Sequence, residues 1–127
     1  MIFREESGEG VRTIATILIT GAAGFIGSNL AARLVHAGHR VMGLDNLSYG
    51  YLRNLTALRR QARFSFHEGD CRDVRLVRPL VRRADSVVHL AAFKIPRYGG
   101  RREMIETNLD ATRVILHESA SHGSGHF

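Results

Sequence analysis

A single cysteine, Cys71, in a chain of 127 residues rules out an internal disulfide, in keeping with a reducing compartment. Apolar runs are only a few residues long, so none can cross a bilayer. The first residues, MIFREESGEGVRT, are charged and carry no apolar signal-peptide core, which points to the cytoplasm. No group of His, Cys, Asp and Glu has metal-ligand spacing, so no metal is expected. Neither an internal repeat nor a linker is visible, and the length suits one domain with its own core.

Lysine is nearly missing as well. Of 18 basic residues 17 are arginine, and Lys94 is the one exception. The net charge of +6 reads as no nucleic-acid surface, because the arginines are scattered from Arg4 to Arg113 rather than concentrated in one stripe. Most fall where a helix would face water, so they read as solvated helix faces.

What the chain does have is an alternation of strand-like and helix-like segments. TILIT (16–20), HRVMGL (39–44), RFSFHEGD (63–70) and DSVVHLAA (85–92) read as strands. Residues 25–37 read as a helix with Gly38 as its stop, 51–60 as a short helix, and 101–120 as the longest helix. In that last helix Met104, Ile105, Leu109, Thr112, Ile115 and Leu116 fall on or near one stripe. Pro79 inside VRLVRPLVRRA predicts one turn, a break, and a restart near the proline. Such alternation predicts an α/β protein with a parallel sheet of about four strands in the order 3-2-1-4. Residues 1–13 read as a flexible leader, 14–118 as the folded part and 119–127 as a loose tail.

The chemistry is concentrated where the first strand meets the first helix. Gly21, Gly24 and Gly27 follow strand 16–20 at once and lead into an amphipathic helix. A helix N-terminus offers unsatisfied N–H groups and the positive end of the dipole, both suited to phosphate. Gly21 suits the tight turn, Gly24 the approach of a phosphate, and Gly27 close packing of helix on strand. Asp45 ends the next strand twenty-four positions after Gly21, where a carboxylate accepts the two hydroxyls of an adenosine ribose. A nucleoside-triphosphate loop is excluded, because Gly27 is followed by Ser28 and Asn29 and no lysine is near. Asp45 would also repel a 2′-phosphate, which favours NAD over NADP.

The segments TGAAGFIGSNL, LDNLSYG, EGDCRD, VVHLAA and TNLDATR, in that order, resemble successive motifs of the extended short-chain dehydrogenase/reductases, the NAD-dependent epimerase/dehydratase family. Within that family the likeness is to sugar-nucleotide 4-epimerases, over roughly residues 14–118. The resemblance implies the N-terminal part of a Rossmann domain, a tightly held NAD and a nucleotide-sugar substrate. It implies pyrophosphate contacts from the backbone of Phe25 and Ile26, whose side chains read as core. Asn46, Ser48 and Gly50 match the adenosine-side loop, although the same residue types also make ordinary turns. Asp70 matches the acid facing the adenine amino group, with the backbone of Cys71 on the ring and no reactivity assigned to its thiol. Leu90, Ala91 and Ala92 match the strand end beside the nicotinamide-side ribose, while His89 reads as a packed strand residue. Lys94 matches a cofactor-contacting lysine, and Asn108 an asparagine near the cofactor; a loop lysine and a solvated helix position are the plainer readings.

The catalytic half of the family pattern is not in this sequence. Family chemistry uses a Tyr-x-x-x-Lys pair after a fifth strand. Here Tyr49, Tyr51 and Tyr98 are followed four positions later by Arg53, Leu55 and Arg102. No fifth strand follows residue 118 either, which leaves strand 86–91 a raw edge open to self-association. The expectation is therefore an NAD-binding N-terminal portion of an epimerase/dehydratase-type oxidoreductase, inactive by itself. The alternative is a stand-alone dinucleotide-binding module that senses NAD or complements a partner chain. The unpatterned tail speaks for truncation, because a self-contained module would end its last helix with a defined cap.

Overall fold

A computed structural model describes residues 12–93 and 100–123. Four strands form one parallel sheet: β1 (Thr16–Thr20), β2 (Arg40–Asp45), β3 (Phe64–Glu68) and β4 (Ser86–His89). Their order is β3-β2-β1-β4, as the alternation predicts. Central β1 pairs Ile17 with Val41 on one side and with Ser86 on the other. Its residues alternate between two cores. Ile17 and Ile19 join Ala31, Leu34 and Val35 of helix α1 (Phe25–His36), while Leu18 joins a core on the opposite face. That second core is built from Val77, Leu80 and Val81 of α2 (Val74–Arg83) and Ile115 of α3 (Arg101–His122). With apolar surface taken up on both faces, β1 has no solvent side, as befits a central parallel strand.

Helix α2 differs from expectation: Pro79 lies within it and does not break it. Asp73 caps the start, accepting a hydrogen bond from the Arg75 N–H at 3.0 Å. Val77, Leu80 and Val81 then bury on one face. Pro79 sits on the exposed face, so its missing N–H deprives only the carbonyl of Arg75, also exposed, where water can take its place. Residues 51–60 likewise form no continuous helix but two 3₁₀ turns, Leu52–Leu55 and Leu58–Arg60. The chain there is pinned from outside, because Tyr51 N–H and the Asn54 side-chain amide both donate to the Ala23 carbonyl, at 3.1 and 2.8 Å.

The last helix runs further than predicted and packs differently. It continues through residues 119–122, assigned above to the tail, and closes on Gly123 in the left-handed conformation, φ 62°. The helix thus ends on a defined glycine stop rather than in the loose tail expected from residue 119. Ala111, Ile115, Glu118 and Ser119 face the body, whereas Ile105, Leu109 and Leu116 of the expected stripe are 44–48% exposed. Glu118 carries the extension. Its carboxylate accepts from Arg78 Nε and Nη2 at 3.0 and 3.2 Å, and that guanidinium holds its pKa below the ordinary range. Among the described residues β4 has a single sheet neighbour, β1. No described helix is long and apolar enough to cross a membrane.

Pro79→Ala is expected to stabilise the fold by about 1–3 kcal/mol, since it restores a helix-interior N–H without disturbing a buried contact. A urea melt would show a raised midpoint at unchanged slope; a lowered midpoint would mean that the ring itself holds α2 in place.

Candidate dinucleotide site

The site is assembled at the carboxyl end of β1, where the chain turns sharply before α1. Gly21 has φ +71°, and a Cβ there would lie 2.8 Å from the Ala91 nitrogen. Only glycine satisfies both demands. Gly27, in the first turn of α1, is no less constrained, because a Cβ there would fall on the carbonyl oxygen of Gly21 and 2.9 Å from the Ala22 Cα. This is the close helix-to-strand packing predicted for the third glycine. Gly24 is the N-cap residue and has no side chain to cap with, and the first turn of α1 holds no acid. The N-terminus of this 12-residue helix thus has no side-chain cap and no acid in its own first turn, and the Asp45 carboxylate stands beside it on the Ala23 N–H.

Phe25 and Ile26 depart from expectation in their side chains, which are 82% and 61% exposed rather than core. The reason is helical phase: Ala31, Leu34 and Val35 take the inward face, which leaves the start of α1 projecting past the sheet.

Beside this turn lies an open cavity of about 560 Å³, a size that suits a small-molecule or cofactor site. Gly21, Gly24, Phe25, Asp45, Asn46, Ser48, Gly50, Asp70, Cys71, Leu90, Ala91, Ala92 and Asn108 line it. Of the remaining candidates, Ile26 and Gly27 lie off its wall, and Lys94 falls outside the described residues.

Asp45 is 8% exposed, and its two carboxylate oxygens accept separate backbone N–H groups, from Ala23 at 2.9 Å and from Leu47 at 2.8 Å. An ionised carboxylate has about four acceptor positions, so about two remain for a ligand's hydroxyls. The same group ties the glycine turn to the end of β2. Asn46 accepts from Ser48 N–H at 3.0 Å, an Asx turn that belongs to the cavity wall. Gly50 lets the loop lie against the turn, since a Cβ there would be 2.8 Å from Ala23.

At the β3 end, Asp70 is engaged by Arg72, with Nη2 at 2.6 Å from Oδ2 and the backbone N–H at 2.8 Å from Oδ1. The Arg72 hydrogen bond holds its carboxyl below the ordinary range. Burial, reinforced by the charge of Asp70, pushes the Cys71 thiol up to about 11, so it stays protonated and unreactive near neutral pH. Asn108 spends its amide on the backbone of Phe93, accepting from N–H at 2.7 Å and donating to C=O at 3.2 Å. It holds the segment after β4 in place and keeps one further donor and one acceptor.

Sequence reasoning missed several groups. Arg72, Tyr49 and Phe93 also line the cavity, and Tyr49 meets Phe93 edge to face at 5.4 Å between centroids. Asn54 carried no signal, because its role depends on a carbonyl thirty-one residues away. Thr20 is fully buried at the end of β1, and its hydroxyl lies 2.6 Å from His89 Nδ1. The alternation of β1 marks it as inward-facing, but only the β1–β4 pairing shows what it meets.

A family model described as the NAD dependent epimerase/dehydratase family matches residues 17–127. The chain is 40% identical to the UDP-glucose 4-epimerase of Mycolicibacterium smegmatis over 100 residues, 78% of this chain and 31% of that protein. It is 36% identical to a dTDP-glucose 4,6-dehydratase of an Actinoplanes species over 121 residues, 87% of this chain and 38% of that protein. It thus spans about a third of the length of the curated relatives it matches. Among solved structures it is similar to the epimerase Mth375 of Methanothermobacter thermautotrophicus, with TM-score 0.79 and 30% identity over 87% of this chain and 33% of that one. It is also similar to the dTDP-glucose 4,6-dehydratase DesIV of Streptomyces venezuelae, solved with NAD and TYD bound, at TM-score 0.78 and 32% identity over 85% of this chain and 36% of that one. Together with the sheet order and the glycine turn seated on α1, these matches show that the chain belongs to the NAD-dependent epimerase/dehydratase family.

Proposed function

We propose that this chain is the NAD-binding N-terminal portion of a sugar-nucleotide epimerase/dehydratase-type oxidoreductase. The observation that carries the reading is the uncapped, acid-free N-terminus of α1 behind Gly21, on the same cavity as the buried carboxylate of Asp45. The residues fit a dinucleotide. Backbone N–H groups of Phe25 and Ile26 would take the pyrophosphate, Asp45 the adenosine ribose, and Asp70 with the Cys71 backbone the adenine. Leu90, Ala91 and Ala92 would lie along the nicotinamide-side ribose, with Lys94 and Asn108 in support. Bound NAD supplies a hydride acceptor at its nicotinamide; this chain's residues supply binding and orientation.

The remaining elements of the reading follow from residue chemistry. Relatives named for acting on UDP-glucose and dTDP-glucose support a nucleotide-sugar substrate. General base catalysis, worth about 10²–10⁴-fold, needs a positioned group of matched pKa. The family's Tyr-x-x-x-Lys pair is not among the residues of this chain, so we propose that the chain by itself does not turn substrate over. The second reading is a stand-alone module that senses NAD or complements a partner chain. Soluble, cytoplasmic residence without nucleic-acid or membrane partners agrees with the sequence and with both readings.

In calorimetry the unmodified chain is expected to bind NAD more tightly than NADP. Asp45→Ala should weaken NAD by about tenfold or more, the loss of charge-assisted hydrogen bonds, and narrow the preference. Tighter binding of NADP would overturn the assignment of Asp45. Incubated with NAD and a panel of nucleotide sugars, the purified chain should give no product sugar and no change in nicotinamide absorbance. Turnover that vanishes in Tyr98→Phe would show that this chain carries a base of its own. In sedimentation the uncharged edge of β4 should produce self-association, and a cooperatively melting monomer would count against that edge as a pairing surface.

A further inference from the structure

The wall of the site hangs on one hydroxyl whose hydrogen bonding is saturated. Thr20 Oγ1 lies 3.1 Å from the Leu90 nitrogen and 3.2 Å from the Ala91 nitrogen and accepts from both N–H groups, the Leu90 N–H being shared with the Thr20 carbonyl oxygen at 3.2 Å. A hydroxyl has two acceptor positions and one proton, so these two amides use up its acceptor capacity. Its proton is left for His89 Nδ1, 2.6 Å away. Nδ1 must therefore be the acceptor, which makes His89 the neutral tautomer with its proton on Nε2. The three bonds fix Leu90 and Ala91, the residues against which Gly21 turns with no room for a side chain. Thr20 and His89 are not on the cavity wall themselves; they stand behind the residues that are.

We propose that His89 is a positioning residue for the cofactor: neutral, it keeps Ala91 docked on the Thr20 hydroxyl beside the glycine turn, and protonated, it loosens that contact, with Leu90 retained by the Thr20 carbonyl, and weakens NAD binding. This rests on the NAD-binding reading above. A proton on Nδ1 would point at a hydroxyl that already accepts two N–H groups, so one of the three bonds must break.

The surroundings allow no compensating charge. Strand β1 carries no titratable side chain. On α3, Arg101, Arg102, Glu103, Glu106, Asp110 and Arg113 are exposed, and Glu118 is held by Arg78 of α2, with His117 and His122 at 3.5 Å. Arg75, Arg82 and Arg83 complete the charges of α2, and burial is what lowers the His89 pKa from 6.5. A depressed histidine pKa sets the sign. The docked state is favoured in full above about 6.5 and is lost as the pH falls through the lower value of the docked state.

The test measures NAD affinity of the full chain from pH 7.5 to 5 beside His89→Asn, whose side-chain oxygen can accept the Thr20 proton and does not titrate. Affinity of the unmodified chain should fall on acidification, about tenfold for each unit by which cofactor binding depresses the His89 pKa. His89→Asn should hold its neutral-pH affinity throughout, and Thr20→Ser should keep the pH dependence that Thr20→Val loses. Nitrogen-15 NMR of the cofactor-free chain should show His89 protonated on Nε2, with the Leu90 and Ala91 amide signals moving as it titrates. Equal acid sensitivity in His89→Asn, or a proton on Nδ1 at neutral pH, would overturn the proposal. If NAD binds at no pH, the NAD-binding reading fails on its own. The latch between Thr20 and His89 then stands or falls with the NMR result.

Discussion

Everything at this site depends on how closely the backbone at Gly21 is approached. From one side comes α1, whose Gly27 has no Cβ to hold the helix off the Gly21 carbonyl; from the other comes the end of β4 at Ala91. Only because both approaches are possible do the N-terminus of α1, the carboxylate of Asp45 and the Leu90–Ala92 segment face one cavity. A methyl group at either glycine would force main chain against main chain, which rigid elements cannot relieve by a change of rotamer.

The organisation around that point is conservative in its use of polar groups. The carboxylate of Asp45 takes one amide from the glycine turn and one from the loop after β2, and the hydroxyl of Thr20 takes two from the end of β4. Asn108 does the same for Phe93 with a matched donor and acceptor. These three side chains thus fix the turn and the segments beyond β2 and β4 that carry part of the cavity wall, Thr20 adding its hydroxyl where its carbonyl already accepts from the Leu90 N–H.

The sheet was legible because its strands repeat a simple physical demand: TILIT and DSVVHLAA are apolar on both faces, as buried parallel strands must be. The glycines were legible because few other residue types meet the constraints of a tight turn and of close backbone approach, and Asp45 because a lone acid closing an apolar strand marks a carboxylate at the sheet's carboxyl end. What escaped was decided by tertiary context. Pro79 reads as a break, yet an N-cap at Asp73 and three buried residues on the opposite face outweigh one exposed, unpaired carbonyl. Phe25 and Ile26 read as core by their apolar character, but the phase of α1 puts them outside. Thr20 and Asn54 gave no signal, since each acts on a partner brought near only by folding.

The attachment of α3 has a mechanical consequence. Its buried residues begin at Ala111, and its firmest polar tie is the Arg78–Glu118 pair near the far end. Of its residues that border the cavity, Ala111 is buried, Asn108 is bonded through its amide to the backbone of Phe93, and Thr107 lies 3.4 Å from the Arg72 guanidinium. The helix is therefore a beam held at two points: from Glu118 to Asn108 it extends about 15 Å at about 1.5 Å per residue. A shift at the Glu118 end is carried along it to Asn108, and through Asn108 to the segment after β4.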